Sequence, residues 1–465
     1  MKTHRPTLFI LLFVVSLLLF CSTTNQQKPN FIIIFCDDLG YGDLGCFGST
    51  LHRTPHIDRI AQNGMRLTSF YSTSGVCTPS RSSLMTGCYP RRVSMHQDHN
   101  NYCVLFPVGK KGLHPDEVTI AEILKEAGYA TACIGKWHLG DQSGFLPTRQ
   151  GFDYYYGIPY SNDMGINQGA NPPLPLLRNE TVIEAPVEQS TITKRYTEEA
   201  VAFIKKHKES PFFLYLPHTM PHNPVHASDA FRGRSANDGY GDAVEEIDWS
   251  TGEIIATLKE LGLEEKTLML FTSDNGAAQR WGGSNGILRG WKGSVWEGGQ
   301  RVPCVVQWPG HIPASVERAT MTCTMDLLPT LARLAGVSLP NRRIDGKDIT
   351  PVLLGESTES PHDVFYFYQM GQLQAVRSGP WKLHLPLADK LRNWGPSEGP
   401  QAAQLYHLEN DCTESHDLAA EHPAIVEQLL DLAHSARQDL GDLDKPGAHQ
   451  RAAEWVEHPQ PLRLK

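Results

Sequence analysis

The run Asn30-Phe31-Ile32-Ile33-Ile34-Phe35 carries no charge and does not alternate between apolar and polar residues. A strand with one wet face alternates; a strand buried on both faces does not, and strands of that kind belong to parallel sheets covered by helices. The chain repeats the texture. Glu117 to Ala127 places Val118, Ile120, Ala121 and Leu124 at helical spacing and stops at Gly128, and Ala130 to Ile134 follows as a strand. A helix from Lys194 to Lys208, a strand from Phe212 to Leu216, a helix from Asp242 to Leu261 and a strand from Thr267 to Phe271 continue the order. Alternation of this kind predicts an α/β fold: a large domain around a mainly parallel sheet with helices on its faces.

Beyond about residue 360 the pattern changes to short strand candidates at Val364 to Tyr368, Leu373 to Arg377, Trp381 to Leu385 and Gln404 to Leu408, then a helix from Pro423 to Leu440. This predicts a small antiparallel sheet with a covering helix, interrupted by a glycine- and proline-rich loop from Ala388 to Gln401. The division expected is a signal peptide over 1–24, a catalytic domain over 25–360, and a small α+β subdomain over 361–465 ending in a loosely specified tail. Lys2 and Arg5 precede an apolar stretch from Leu8 to Phe20 that is short for a membrane span and suits a signal-peptide core. The mature chain is therefore expected outside the cytoplasm: periplasmic or extracellular, or lysosomal in a eukaryote. Lipid anchoring at Cys21 is the weaker reading, because Phe20 stands where a small residue is expected.

A chain of 465 residues has room for both parts. Its formal net charge of -9 and lack of a basic cluster argue against nucleic acid as a partner. Homo-oligomerisation stays open. None of the ten cysteines makes a C-x-x-C pair, which disfavours a zinc site. Cys36, Cys133 and Cys304 lie in apolar runs and read as small core residues. Cys88 and Cys103 bracket a polar loop and are the one pair considered for a disulfide.

Polar residues gather where these strands end. Asp37 and Asp38 follow the first strand, Lys136 and His138 the second, His222 the third, and Asp274 and Asn275 the fourth. Loops after the carboxyl ends of parallel strands are where α/β proteins bind ligands, whereas turn chemistry alone favours glycine, asparagine and proline there. Each residue has an ordinary alternative. Asp37-Asp38 reads as a cap and turn, Gly135-Lys136-Trp137-His138 and Pro221-His222-Asn223-Pro224 as surface turns, and Lys292 as a solvated lysine among glycines. Cys77-Thr78-Pro79-Ser80-Arg81 reads as a loop cysteine beside a loop proline. Taken together, three carboxylates and an amide are hard oxygen donors that suit calcium or magnesium. Lysine or histidine buried near a dianionic ester would neutralise developing charge and protonate a departing oxygen. His56 and Asp58 are placed at the helix start after Thr54-Pro55.

The ordered motifs Cys36-Asp37-Asp38-Leu39-Gly40-Tyr41-Gly42-Asp43, C-T-P-S-R from Cys77, G-K-W-H-L-G from Gly135, Gly157-Ile158-Pro159-Tyr160-Ser161, P-H-N-P from Pro221, Ser273-Asp274-Asn275-Gly276 and L-R-G-W-K-G-S-V-W-E-G-G from Leu288 resemble the formylglycine-dependent sulfatase family. The likeness is strongest to arylsulfatase A and the N-acetylgalactosamine-6-sulfatases, and runs from Pro29 to Asp411. It implies an alkaline-phosphatase-like catalytic domain and hydrolysis of sulfate monoesters, of sulfated carbohydrates in particular. It also implies that a maturation enzyme oxidises Cys77 to formylglycine (3-oxoalanine), whose hydrate attacks sulfur.

By the same resemblance Asp37, Asp38, Asp274, Asn275 and the modified Cys77 hold one calcium ion. Arg81 and His138 steady the hydrate, and Lys136, Ser161, His222 and Lys292 grip the sulfate, with Lys292 or His222 as acid. His218 is kept as a further substrate contact. Many relatives read L-T-G-R after the modified cysteine, where this chain has Leu84-Met85-Thr86-Gly87-Cys88, so the choice of maturation enzyme is open. Two rivals remain: a phosphoester or phosphonate ester hydrolase of the same superfamily, and a glycan-binding protein without catalysis. The second would be expected to have lost Cys77, Arg81 or a metal ligand, and all are retained.

Overall fold

The computed structural model describes residues 28–165 and 171–464, so the segment expected as a signal peptide and Cys21 lie outside the described residues. The first strand, β1 (Asn30–Cys36), sits inside a ten-stranded sheet and is buried along its whole length. The other strands of this sheet are β2 (Met65–Leu67), β3 (Ala130–Ile134), β4 (Tyr154–Gly157), β5 (Leu176–Arg178), β6 (Thr181–Glu184), β7 (Phe212–Pro217), β8 (Thr267–Ser273), β9 (Cys304–Gln307) and β10 (Val316–Arg318). Their order is β10-β2-β9-β8-β1-β7-β3-β4-β5-β6. From β8 to β4 every pairing is parallel, while β9 runs antiparallel to both of its neighbours and β5 and β6 close the far edge antiparallel.

The uniform apolarity of β1 follows from this position. Phe31, Ile33 and Phe35 face one core, shared with Leu84 and Met85 of helix α2 (Cys77–Thr86), where α1 is Pro55–Asn63. Helices α3 (Ile120–Glu126) and α6 (Leu327–Ala335) lie on the same side, with α4 being Ile192–Lys206 and α5 Asp238–Glu260. Ile32, Ile34 and Cys36 point the other way, against α1, α4 and α5. Burying a side chain of this size stabilises by about 1.5–3 kcal/mol, so every position of β1 contributes whichever face it serves.

The small antiparallel sheet is present as β11 (Phe365–Gln369), β12 (Gln372–Ser378), β13 (Trp381–His384) and β14 (Gln404–His407), with helix α7 (Pro423–Leu440) packed on it. Three expectations need correction. The third helix begins at Ile120, because Thr119 caps it with Glu122 in a reciprocal capping box and leaves Glu117 free to take Arg451 at 2.6 Å. The C-terminal residues are not a loose tail: Glu454 and Trp455 pair with Gly112 and Lys111, and the Gln460 amide donates to Gln142 Oε1 at 2.8 Å.

Cys88 and Cys103 are both free. Helix α2 separates them, rising about 15 Å over its length. Leu105, beside Cys103, donates to Thr78 Oγ1 in the first turn, while Cys88 lies past the last and contacts Arg343 and Arg451.

Candidate active site

β1 and β8 are in register, Cys36 beside Ser273, so the chain emerges from both strands at the same level and Asp37 and Asp274 start as neighbours. The Asp38 amide then donates to Asp274 Oδ1 at 3.1 Å, and Asn275 Nδ2 donates to Asp38 Oδ1 at 2.8 Å. Asp38 takes a left-handed φ of 66°, uncommon away from glycine, as the chain reverses its course. Asp37 and Asp274 are fully buried and Asp38 is 3 % exposed.

Cys77 opens α2, and Arg81 stands one turn later on the same face. The Cys77 thiol donates to Asp37 Oδ1 at 3.4 Å; Arg81 donates from Nε and Nη2 to Asp274 Oδ2 at 3.1 and 2.7 Å, and from Nη1 to the Lys136 carbonyl at 2.9 Å. Every residue of α2 is buried, so what looks in the sequence like a polar loop is an interior helix that sends Cys77 and Arg81 to the site, while Ser82 and Thr86 bond back to its own carbonyls. Burial and the adjacent Asp37 carboxylate push the Cys77 thiol well above its ordinary pKa, leaving it neutral.

Lys136 leaves β3 through Gly135, whose φ of 138° and contact with the Pro217 carbonyl exclude a side chain. Its ammonium is fully buried between Asp37 and Ser161 Oγ, the latter at 3.2 Å. His222 is held by Asn162 Oδ1 at 3.0 Å and places Nε2 3.7 Å from Asp38. Burial, and Lys292 next to it, lower its pKa. Lys292 is also buried, with Nζ 2.8 Å from Asp38 Oδ2. Burial works against its charge, but Asp38 together with the Cys77, Asp37 and Asp274 groups behind it outweighs burial, and the pKa stands well above the ordinary value. Asp274 moves the opposite way from a paired carboxylate, to about 7, because burial and Asp37 outweigh Arg81.

Asp37, Asp38 and Asp274 thus face Arg81, Lys136 and Lys292. A buried set balanced in this way can accept a dianion and a divalent cation together without a net change in charge. Asn275 Oδ1 is buried and accepts no hydrogen bond, so one hard oxygen donor is left over beside three carboxylates. Carboxylates of Asp37 and Asp38, the Cys77 sulfur and the His222 ring approach one another closely enough to share an ion. The three carboxylates and the Asn275 oxygen are hard donors that fit calcium or magnesium, whereas the Cys77 sulfur and the His222 ring are softer groups at the edge of that set.

His138 lies at the edge of this group. It is buried, its Nε2 contacts the Leu105 carbonyl at 2.9 Å, and Nδ1 has no partner. His218, expected as a substrate contact, is fully buried with Nε2 3.5 Å from Ser250 Oγ, and burial takes its pKa to about 3. It belongs to the core. His56 and Asp58 do sit in α1, as the sequence suggested: Asp248 accepts from the His56 and Ile57 amides at 2.9 and 2.8 Å, and Asp58 accepts from the Cys46 amide.

Several supporting residues escaped the sequence reading. Asn162 orients His222, and its place next to Ser161 is the only clue. Lys382 bridges Glu297 and Glu414 at 2.9 Å to each, all three fully buried. Glu414 also accepts from the Glu297 amide and, through its carbonyl, from Arg289. This knot ties the small sheet to the loop that carries Lys292. Nothing in the local sequence marks it.

A sequence profile described as Sulfatase matches residues 29–337. The chain belongs to the sulfatase family. A second profile, described as N-sulphoglucosamine sulphohydrolase, C-terminal, matches residues 290–438. This sulfatase is 40 % identical over 386 residues to arylsulfatase A of Homo sapiens, covering 77 % of this chain and 75 % of that one. It is 39 % identical to N-acetylgalactosamine-6-sulfatase of Sus scrofa, covering 78 % and 72 %. A solved structure described under the metabolism of multiple glycosaminoglycans by Bacteroides thetaiotaomicron superposes with a TM-score of 0.79 at 31 % identity, covering 88 % of this chain and 99 % of that one. The protein is a sulfuric ester hydrolase with an alkaline-phosphatase-like central sheet and a small C-terminal antiparallel sheet.

Proposed function

We propose that this sulfatase hydrolyses sulfate monoesters of carbohydrates with a formylglycine made from Cys77 and a calcium ion held by Asp37, Asp38, Asp274, Asn275 and residue 77. The observation that carries the reading is the placement of Cys77 within 3.4 Å of Asp37, inside a buried ring of Arg81, Lys136 and Lys292. A hydrated aldehyde at position 77 supplies a nucleophilic hydroxyl for sulfur and a second hydroxyl whose deprotonation lets sulfate leave. A bound calcium ion supplies positive charge that acidifies a neighbouring hydroxyl and offsets charge on sulfate oxygens. The carbohydrate assignment draws on the names of relatives that act on an amino sugar or on glycosaminoglycans.

The chain's own groups divide the remaining work. Arg81, fixed by Asp274, holds residue 77 in its orientation, and the free Nδ1 of His138 is available to hydrogen-bond it. Lys136, Ser161, His222 and Lys292 grip sulfate oxygens, where most of the lowering of the barrier arises. Lys292, kept protonated by Asp38, or His222 delivers a proton to the departing sugar oxygen.

The same reading keeps a boundary near residue 360, an export signal over 1–24, and a dedicated maturation enzyme as partner. Among the described residues no helix is long and apolar enough to cross a membrane. The deciding experiment compares turnover of matched sulfate and phosphate monoesters of the same sugars. Sulfate esters should win by orders of magnitude; a preference for phosphate esters would overturn the assignment.

A further inference from the structure

The loop between Leu387 and Gln401 belongs to the small sheet by chain order but lies beside the catalytic lysine. Its base is closed by backbone pairs at Leu387 with Gln401 and Lys390 with Glu398. Three buried glutamines of the β11–β12 hairpin hold it and the Lys292 loop at once. Gln369 Nε2 donates to the Gly293 carbonyl at 2.7 Å. Gln372 donates to the Asp389 carbonyl at 2.7 Å and accepts from the Leu391 amide at 2.8 Å, and Gln374 donates to the Leu391 carbonyl at 2.9 Å. Side-chain amides spent on two loop backbones fix those loops relative to each other.

What the clamp presents is Trp394. Its ring centre is 5.9 Å from Lys292 Nζ, yet the residue is 54 % exposed. Gly293 makes the approach possible: a Cβ there would come within 2.5 Å of the Trp394 ring and 2.8 Å of Asn393 Nδ2. Asn393 has neither its amide nitrogen nor its amide oxygen hydrogen-bonded, so no bond holds it from turning toward a ligand. Lys292, Trp394, Arg392 and Gln279 line a cavity of about 250 Å³ between the two loops. Lys390 and Arg392 share the single carboxylate of Glu398 at 3.6 and 3.8 Å, which leaves the rim polar and one charge positive.

We infer that Trp394 is the platform on which the sulfated pyranose ring stacks, with Asn393 as hydrogen-bond partner for a ring substituent, so that the 387–401 loop selects the sugar while the buried site holds the sulfate. The inference rests on the sulfate-ester reading above and adds the residue that recognises the alcohol. A flat, exposed indole set in a polar, cationic rim suits a hydroxylated ring, which offers apolar C–H faces and polar edges together. A purely apolar alcohol would leave the rim groups without partners.

The test is steady-state kinetics of Trp394→Ala and Trp394→Phe on a panel of monosulfated methyl pyranosides, with product inhibition by inorganic sulfate measured alongside. For the best pyranoside, Trp394→Ala should lose roughly 10- to 100-fold in kcat/KM, mainly through KM, as when an aromatic anchor is removed. Trp394→Phe should retain most of the activity, and the sulfate inhibition constant should stay as in the wild type. Unchanged pyranoside kinetics in Trp394→Ala, or an equal weakening toward inorganic sulfate, would overturn the assignment. So would a wild type that turns over aryl sulfates and no pyranoside. A wild type inactive on every sulfate ester would instead defeat the reading on which this inference stands.

Discussion

Lys292 Nζ lies 2.8 Å from Asp38 Oδ2 across 254 residues of sequence, and both side chains are buried. A lysine that reads locally as a solvated residue among glycines is thereby part of the acid cluster at the end of β1. Lys292→Ala should lower turnover on the order of 10²- to 10⁴-fold, as for loss of a charge donor or acid. The loss should be smaller on aryl sulfates, since a phenolate departs with less need of a proton than a sugar alkoxide. Equal, small losses on both classes in parallel kinetic runs would return the acid role to His222.

Conversion of Cys77 is checked by mass. The peptide spanning Cys77 from active protein should be lighter by roughly 18 Da than its thiol form, the difference between a thiol-bearing carbon and an aldehyde. Cys77→Ser should fold with a melting temperature close to that of the parent, because the side chain is small and a hydroxyl can replace the thiol in its hydrogen bond to Asp37. Full activity with only unmodified cysteine at this position would refute the mechanism.

Metal removal should act on stability as well as rate. Stripping with a calcium chelator should lower both activity and melting temperature, and calcium should restore both. A ligand at a hundred times its dissociation constant stabilises by about 2.7 kcal/mol. Asp274→Ala should abolish the calcium-dependent shift in melting temperature together with activity. Restoration by zinc but not by calcium would contradict the oxygen-donor assignment.

Asp248 gives a pH prediction independent of the active site. Burial raises its pKa from 3.8 to about 7 despite the two amides of α1 that it accepts. A folded-state pKa above the unfolded one means stability that is present below about pH 4 and is lost as pH rises toward 7. Asp248→Asn keeps an oxygen for both amides and removes the titration. Urea denaturation should show the variant more stable than the parent at pH 8, with the difference shrinking toward pH 5; a variant less stable at pH 8 would mean that the charge itself holds α1.

The alternation of strands and helices was legible because each element declares itself locally. β1 and β7 are near-continuous apolar runs, and α7 was found with both of its ends. Site residues on those strands were legible for a related reason: a parallel sheet delivers every strand's carboxyl end to the same edge, so Asp37, Lys136, His222 and Asp274 had to converge once the strands were adjacent. The fold class and the chemical character of one edge of the sheet therefore follow from local patterns along the chain.

Which charge meets which is set by packing between distant segments. Nothing near Lys292 announces Asp38, and nothing near Lys382 announces Glu297 and Glu414, because those pairs form between elements far apart in the chain. The same holds for His218 and His222: four residues apart on one loop, they part company because one turns into the core beside Ser250 and the other toward Asp38. Burial settles such cases. A side chain's charge and hydrogen bonding in a low-dielectric interior depend on neighbours brought in from elsewhere, and a linear sequence records the side chain without its neighbours. Trp394 shows the same limit from the other side, since Gln372 and Gln374 of a different hairpin hold its loop while Gln369 of that hairpin holds the backbone of Gly293.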